Sequence, residues 1–191
     1  GSAGSGKSTL IGKLVQEYAK EKRKVAVLAI DTSYIDGGAL LGDRVRMKVY
    51  NTGDTEYFIR SQSVRKNVGG IATTTKRMAR VLAVAGYTDV LVETIGAGQQ
   101  DYAIKDIASR VVHVLPASTT ADAITARKGG LMEIGDTFVI NYKRGQMEDA
   151  RRLEGLLKTT VGSEKKIHLA NCLTGNSIPR VYYTITRWGV R

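Results

Sequence analysis

Short, continuous apolar runs alternate along this chain with longer stretches in which apolar residues recur at helical spacing. Runs of the first kind suit parallel strands buried on both faces, and the spaced stretches suit helices that cover such a sheet. The runs predict strands over residues 25–30, 89–93, 111–115, 137–141 and 166–170, with a further strand near 56–59. The spaced stretches predict helices over residues 10–20, 71–85, 101–109, 121–133, 147–161 and 178–188, with short helical pieces near 39–46. This alternation predicts an α/β fold with three layers around a mostly parallel sheet.

The first nine residues fit G-x-x-x-x-G-K-[ST], the pattern of a phosphate-binding loop. Glycines in such a loop let successive backbone N–H groups approach a polyphosphate without Cβ clashes. Lys7 reaches the β- and γ-phosphates, and the Ser8 hydroxyl is placed to coordinate Mg²⁺. A glycine- and serine-rich linker is the alternative, but it does not explain this register before an amphipathic helix. The predicted phosphate-binding residues are Gly4, Ser5, Gly6, Lys7, Ser8 and Thr9.

Three acidic residues are candidates for a cation site beside the phosphates. Asp31 and Glu93 end apolar runs, which places them at the carboxyl ends of strands, where open α/β sheets bind ligands. Asp43 lies in the glycine-punctuated connection over residues 32–70, which is long enough to be functional. Mg²⁺ between phosphates takes one or two carboxylates together with hydroxyl and water oxygens. We therefore predict Ser8, Asp31, Asp43 and Glu93 as metal ligands; the alternative for each acid is a surface position or a helix cap.

The net charge and the cysteine content indicate which ligands and which cellular compartment suit the protein. The 191 residues carry a formal net charge of +11, which suits a polyanionic ligand or an acidic partner. The basic residues are scattered without aromatic interleaving, so a solvated basic surface is favoured over a nucleic-acid partner. A single cysteine, Cys172, excludes an internal disulfide and predicts a reducing, cytoplasmic location. No apolar run approaches the length of a membrane span.

The segment that begins at Glu93 reads Glu-Thr-Ile-Gly and resembles the second phosphate-sensing motif of P-loop GTPases. In that motif the backbone N–H of the glycine, here Gly96, meets the γ-phosphate and moves a switch loop with it. Gln99 is a candidate for orienting the attacking water, and the alternative is a loop residue hydrogen-bonded to backbone. We predict Lys7, Glu93 and Gln99 as the catalytic residues.

Longer matches to one protein family make the resemblance specific. The most discriminating match is the sequence GGALLGDRVRM at residues 37–47. Further matches follow in order over nearly the whole chain, at residues 1–10, 25–31, 58–61, 69–72, 92–99, 128–133 and 173–175. On these segments the chain resembles the MeaB/ArgK family, SIMIBI-class P-loop GTPases that act as chaperones of cobalamin-dependent acyl-CoA mutases such as methylmalonyl-CoA mutase.

The resemblance implies hydrolysis of GTP with Mg²⁺ as the cofactor, bound by the phosphate loop and the three acids. It implies that hydrolysis gates the loading or protection of cobalamin on a partner acyl-CoA mutase, and it allows a homodimer. It also places Gly96, Asn141 and Cys172 at nucleotide-contacting positions. Because a phosphate loop normally follows a central strand, we expect the first strand to precede Gly1 in a longer protein. Residues 1–191 are then expected to form a single P-loop GTPase domain, truncated at its amino-terminal end.

The base-reading motif departs from the family's N-K-x-D, whose aspartate accepts hydrogen bonds from guanine N1 and N2. The aligned residues are Asn141, Tyr142, Lys143 and Arg144, so Arg144 stands in place of the aspartate. A guanidinium has donors only and cannot accept from the donor edge of guanine. We therefore expect phosphate binding to be retained better than guanine selectivity.

Two alternatives remain open. Arg144 motivates a divergent ATPase, or a nucleotide-binding module without guanine specificity. A nickel-insertion metallochaperone GTPase would need a cluster of cysteine and histidine ligands. For that role the chain offers Cys172, His113 and His168, which are far apart in sequence, and both histidines lie in predicted strands.

Overall fold

The computed structural model describes residues 1–31, 56–63, 68–94, 104–125 and 131–187. In chain order the described elements are α1 (Lys7–Lys20), β1 (Val25–Asp31), β2 (Tyr57–Ser63), α2 (Val68–Val84), β3 (Asp89–Glu93), β4 (Val112–Pro116), α3 (Ala121–Thr125), α4 (Leu131–Ile134), β5 (Thr137–Asn141), α5 (Met147–Val161), β6 (Lys166–Ala170) and α6 (Ile178–Thr186).

Strand β1 is the centre of a parallel three-stranded sheet with the order β2-β1-β3. Its residues 25–29 are at most 3% exposed, because helices cover both faces of the sheet. Side chains alternate between those faces: Val27 belongs to the cluster of α1, and Leu28 packs with Leu82 of α2. The continuous apolar run therefore reflects burial on two sides.

Strands β4, β5 and β6 form a second parallel sheet, in the order β4-β5-β6. Val139 of β5 lies in the cluster formed with α1 and α6, whereas its neighbour Phe138 packs in the cluster of α5. Helices therefore lie on both faces of this sheet as well. The predicted three-layer α/β fold with parallel strands is confirmed.

Helix α1 joins the two sheets into one core. Its buried face packs in a single cluster with Val27 of β1 and Val114 of β4. Near its carboxyl end, Tyr18 lies edge-on to Tyr182 of α6, with the ring centroids 4.9 Å apart. Because α1 starts at the phosphate loop, this packing fixes the loop against both sheets.

A cavity of about 160 Å³ lies between β3 and β4. Among the described strands, β3 pairs with β1 and β4 pairs with β5, so each keeps one edge towards this space. Leu10 and Leu14 of α1 line the cavity together with Leu91 of β3 and Val112 of β4. The β3 side chains are accordingly only half-buried, although the strand is as apolar as a central one.

Most predicted elements are confirmed, and three of the strands and helix α5 have the predicted bounds. Strand β2 is longer than predicted, because every residue in it, including the polar Arg60, is in register with β1. Strand β4 begins one residue later than predicted, since the N–H of Val111 donates to the side chain of Asp136 instead of the ladder, at 2.7 Å. The helical pieces predicted near residues 39–46 lie outside the described residues.

The helix predicted at residues 101–109 is wrong in its described part. Residues 104–106 form one 3₁₀ turn, and the N–H groups of Ile107 and Ala108 both donate to the carbonyl of Ile104. Ile104 is the only buried residue between 104 and 109. A longer helix would have too little packing to offset the cost of ordering it. The helix predicted at residues 121–133 is represented by α3 and α4 at its two ends.

Candidate functional site

The phosphate loop turns sharply at two glycines before α1 begins. Gly4 and Gly6 have φ values of +73° and +101°, in the left-handed region that favours glycine. At Gly6 a second constraint applies, since a Cβ there would lie 2.4 Å from Nδ2 of Asn141. The carbonyl of Gly6 accepts the first helical hydrogen bond, from Leu10 at 2.9 Å. Gly6 is therefore required both by its own backbone and by the neighbouring strand.

Lys7, the first residue of α1, reaches back across the phosphate loop. Its Nζ donates to the carbonyl oxygens of Gly1 and Ser2, each at 2.9 Å. Both acceptors are neutral, and a phosphate oxygen is a stronger partner for an ammonium group. The lysine is thus held over the loop at the position that the sequence pattern predicts.

Ser8 and Glu93 are brought together although they are distant in sequence. The Ser8 hydroxyl donates to Oε1 of Glu93 at 2.5 Å. A hydroxyl and a carboxylate oxygen are the ligands that Mg²⁺ prefers, so this pair fits a magnesium ion at the amino-terminal end of α1. Two of the predicted metal ligands therefore meet.

Asp31 ends β1 beside Glu93. The register pairs Ala29 of β1 with Glu93 of β3, so Asp31 lies two residues beyond that level at the same edge of the sheet. The predicted residues Asp43, Gly96 and Gln99 lie outside the described residues, and their roles stay predictions. Thr9 lies in the first turn of α1 and is partly buried.

Asn141, the last residue of β5, links the phosphate loop to the segment after β6. Its Nδ2 donates to the carbonyl of Ser5 at 3.0 Å, and its Oδ1 accepts from the N–H of Cys172 at 3.1 Å. Ser5 is 1% exposed and Asn141 is partly buried. Both amide atoms therefore have structural partners, and one side chain joins the phosphate loop to the segment after β6.

The segment after β6 is a compact turn built around two asparagines. Oδ1 of Asn171 accepts from the N–H groups of Leu173 and Thr174, at 3.1 and 3.0 Å. Nδ2 of Asn176 donates to the hydroxyl of the buried Tyr142 at 2.8 Å. Asn176 is not among the site residues predicted from the sequence. The feature of the sequence that indicates this turn is the concentration of Asn, Thr and Gly at residues 171–176.

Cys172 lies at the base of this turn and is 1% exposed. Burial raises the pKa of its thiol to about 12, so the thiol is protonated at neutral pH. What Cys172 presents to the site is its backbone N–H, which donates to Asn141. Its predicted role in nucleotide binding stays a prediction.

The two histidines lie on opposite faces of the second sheet. His113 is in register with Phe138, and His168 is in register with the next residue, Val139. His113 stacks on Phe138 with the ring centroids 5.7 Å apart. Burial, with Arg180 and Lys166 nearby, lowers the pKa of His168. Because successive residues of a strand face opposite sides, the two imidazoles cannot share a metal ion.

Within the described ranges, no group of three or more His, Cys, Asp and Glu side chains is placed to hold a metal ion. In the same part of the chain, every helix falls short of the length and apolar character that a membrane span requires.

Comparison with protein families identifies one model that covers nearly the whole chain. The model described as "Methylmalonyl Co-A mutase-associated GTPase MeaB" matches residues 1–181. This match includes the phosphate loop, the six strands of the described residues and the turn at residues 171–176.

Curated relatives agree with this family. The chain is 43% identical over 166 residues to a Pyrococcus abyssi protein named "Putative GTPase", with 86% of the chain and 51% of that protein covered. It is 33% identical over 156 residues to "Methylmalonic aciduria type A homolog, mitochondrial" of Mus musculus, covering 81% and 37%. It is 33% identical over 156 residues to "Fused isobutyryl-CoA mutase" of Geobacillus kaustophilus, covering 80% and 14%. The chain spans about half the length of the first of these relatives.

Two solved structures share the fold. The crystal structure of LAO/AO transport system kinase matches with a TM-score of 0.72 and 21% identity, covering 100% of this chain and 57% of the other. The hydrogenase maturation factor HypB from Archaeoglobus fulgidus matches with a TM-score of 0.65 and 17% identity, covering 97% and 85%. At these identities the likeness concerns the fold alone.

Proposed function

The chain belongs to the MeaB family, and from this premise we propose that it hydrolyses GTP with Mg²⁺ at the site around its phosphate loop. The observation that carries the proposal is the 2.5 Å hydrogen bond between Ser8 and Glu93. It brings the loop hydroxyl and a strand-end carboxylate to the amino-terminal end of α1, where phosphates and their cation bind.

Lys7 and the backbone N–H groups of the loop bind the phosphate oxygens in this proposal. Lys7 exchanges its carbonyl acceptors for anionic ones, which strengthens its hydrogen bonds. Ser8 and Glu93 hold Mg²⁺, with Asp31 and Asp43 as further ligands. When bound, the ion neutralises charge on the β- and γ-phosphates.

Gln99 and Gly96 complete the proposed catalytic arrangement. Gln99 orients the attacking water, and the Gly96 N–H contacts the γ-phosphate and moves the following loop after hydrolysis. Asn141 and the N–H of Cys172 position the nucleoside half of the site through the contacts described above.

We propose further that hydrolysis gates the loading or protection of cobalamin on an acyl-CoA mutase. Support comes from the family description, which names a methylmalonyl-CoA mutase, and from the relative that is a fused isobutyryl-CoA mutase. The cytoplasmic location stays a prediction, and one relative is named as mitochondrial. A homodimer is a further prediction that the family membership supports.

We also propose that residues 1–191 form one domain whose sheet takes an additional strand between β3 and β4. Within the described residues each of these strands has a strand partner on one side only, and this, together with the cavity of about 160 Å³ between them, supports the proposal. Such a strand would end beside Gly1, which lies against the carbonyl of Val114 in β4. It would join the two three-stranded sheets into one sheet of seven parallel strands.

The test is phosphate release from GTP by wild-type protein and by Lys7→Ala, with and without Mg²⁺. We expect slow, Mg²⁺-dependent turnover that Lys7→Ala abolishes, because the variant loses the cation that contacts the phosphates. Lys20→Ala is the matched control: Lys20 lies on the same helix, is exposed and pairs with Glu17. Unchanged turnover in Lys7→Ala would contradict the enzymatic proposal.

The proposed action on an acyl-CoA mutase needs a separate measurement. A purified acyl-CoA mutase should accelerate GTP hydrolysis by the wild-type protein, and its cobalamin occupancy should depend on GTP. A mutase that changes neither rate nor occupancy would leave the nucleotide chemistry standing and remove the chaperone role.

A role in nickel insertion has less support than the role as a GTPase chaperone of a mutase. The likeness to HypB concerns the fold, and the two histidines face opposite sides of their sheet. Stoichiometric binding of nickel would revive it.

A further inference from the structure

The nucleoside half of the site can be located from the phosphate half. The phosphate loop and α1 lie between the two sheets, and the contact of Ser8 with Glu93 places the cation towards β1 and β3. The segments after β5 and β6 lie on the other side of the loop, and Asn141 ties them to the carbonyl of Ser5. A nucleotide whose terminal phosphates meet the cation therefore directs its base towards residues 141–146 and 171–177.

Guanine presents two adjacent donors there, N1–H and the N2 amino group, and a site that selects it needs an acceptor that faces both. A carboxylate meets this need, because it accepts through two oxygens. Residues 141–146 and 171–177 contain no aspartate and no glutamate. Lys143 and Arg144, both exposed, carry donors only.

Four side-chain oxygens of these two segments are already used to hold the shape of the segments. Oδ1 of Asn141 accepts from Cys172, and Oδ1 of Asn171 accepts from two N–H groups of its own turn. The hydroxyl of Tyr142 accepts from Asn176, and Oε1 of Gln146 accepts from the N–H of Lys143 at 2.9 Å. Turning any of these oxygens to a base would break a contact within the protein.

The remaining surface is suited to bases in general. Leu173 projects from the turn and is 69% exposed. The aliphatic part of Lys13 lies next to Gly175, within 4 Å of where a Cβ would stand. Every base has an apolar face, so contacts of this kind add affinity without distinguishing guanine.

We propose that this site binds purine nucleoside triphosphates without selecting guanine. Arg144 is the residue that determines this lack of selectivity, because it has donors where a carboxylate would accept hydrogen bonds from guanine. The proposal rests on the proposed function for the location of the site, and it changes the substrate class from GTP to GTP, ITP and ATP. Affinity then comes mainly from the triphosphate and its cation. Because the site has no carboxylate to accept a hydrogen bond from the 2-amino group of guanine, it does not distinguish GTP from ITP by that group.

Displacement of a fluorescent nucleotide by GTP, ITP and ATP tests this without requiring hydrolysis. ITP differs from GTP only by the missing 2-amino group, so its relative affinity isolates the contact in question. We expect the affinities for GTP and ITP to agree within about threefold, because no buried acceptor is left unpaired. A preference for GTP over ITP of about tenfold or more would overturn the proposal, because one paired charged hydrogen bond supplies that much discrimination.

A gain-of-function variant provides a second test of the proposal. Arg144→Asp supplies the missing carboxylate, and it should raise the GTP-to-ITP affinity ratio by about tenfold, the value of one paired charged hydrogen bond. Arg151→Asp is the control, since it makes the same charge change at an exposed position of α5. An Arg144→Asp ratio equal to that of Arg151→Asp would overturn the role of Arg144.

The two proposals fail in different ways. Tight, guanine-selective binding with Mg²⁺-dependent turnover would overturn the present inference and leave the proposed function standing. Equal binding of the three nucleotides with no turnover of any would overturn the proposed function and leave this inference standing.

Discussion

The hydroxyl of Ser8, at the start of α1, donates a 2.5 Å hydrogen bond to Glu93, at the end of β3, across 85 residues of sequence. The contact depends on the order of the sheet. Strand β3 lies beside β1, and α1 crosses from one sheet to the other, so the helix start and the strand end meet at one edge. A helix amino-terminal end with a hydroxyl and a carboxylate is suited to a phosphate-bound divalent cation.

Glu93→Gln should separate cation binding from nucleotide binding. The amide keeps the size of the side chain but loses its charge, so Mg²⁺-dependent hydrolysis is expected to fall by about a hundredfold. Nucleotide affinity measured without Mg²⁺ should change little, since Lys7 and the loop remain. Glu148→Gln, at an exposed position in the first turn of α5, should behave as wild type. Full Mg²⁺-dependent turnover in Glu93→Gln would argue against the carboxylate as a ligand.

Two glycine substitutions should have opposite effects on stability. Gly6→Ala forces a side chain into a left-handed backbone and to 2.4 Å from Asn141, so we expect a loss of about 1–2 kcal/mol in the free energy of unfolding and weaker nucleotide binding. Gly155→Ala in α5 meets no atom within 4 Å and should add about 0.5–1 kcal/mol. Urea unfolding of both variants measures this. A Gly6→Ala protein as stable as wild type would contradict the assigned geometry.

Cys172 should make the fold less stable in alkali. Burial raises the pKa of its thiol from 9.0 to about 12. Between these values the folded protein keeps a proton that the unfolded chain releases, so the free energy of unfolding falls as the pH rises above about 9. Below the unfolded pKa this contribution is fully present. In Cys172→Ala the decline between pH 8 and pH 10 should shrink by about 1 kcal/mol, measured by urea unfolding at both values.

The control for this prediction is internal, because the variant and the wild type share every other titrating group. Burial also raises the pKa of Tyr18, and that contribution should remain in both proteins. An unchanged decline in Cys172→Ala would show that the thiol is not the group responsible.

Hydrogen exchange on the intact protein should test the strand proposed between β3 and β4. If that strand is present, the amides of β3 and β4 should exchange as slowly as those of β1 and β5, each of which has a described partner on both sides. Strands β2 and β6, with a described partner on one side, provide the comparison. Exchange of β3 and β4 as fast as at β2 and β6 would contradict the proposal.

Much of the fold was predictable because burial leaves a direct trace in the sequence. Strand Thr137–Asn141 and helix Met147–Val161 have their predicted bounds, since an apolar run and an apolar stripe are produced by two-sided and one-sided burial. Strand β2 was only partly predicted, because polar residues such as Arg60 belong to it through pairing with β1. The turn at residues 104–106 was mistaken for a helix, since periodicity does not report whether a helix has a surface to pack on.

The candidate site also has a part that the sequence predicts and a part that only the tertiary structure reveals. Lys7, Ser8 and the glycines could be chosen from sequence because the phosphate loop is contiguous and its spacing follows from the geometry of one turn and one helix. The sequence also supplied Glu93, the acid at the end of β3, and grouped it with Ser8 as a metal ligand, but it did not give the hydrogen bond between them. The sheet order and the path of α1 decided that Glu93 meets Ser8, that Asn141 joins the phosphate loop to Cys172, and that His113 and His168 face opposite sides. Local spacing determines what one turn or one helix can do, whereas contacts between distant segments depend on strand order and register, which only the tertiary structure fixes.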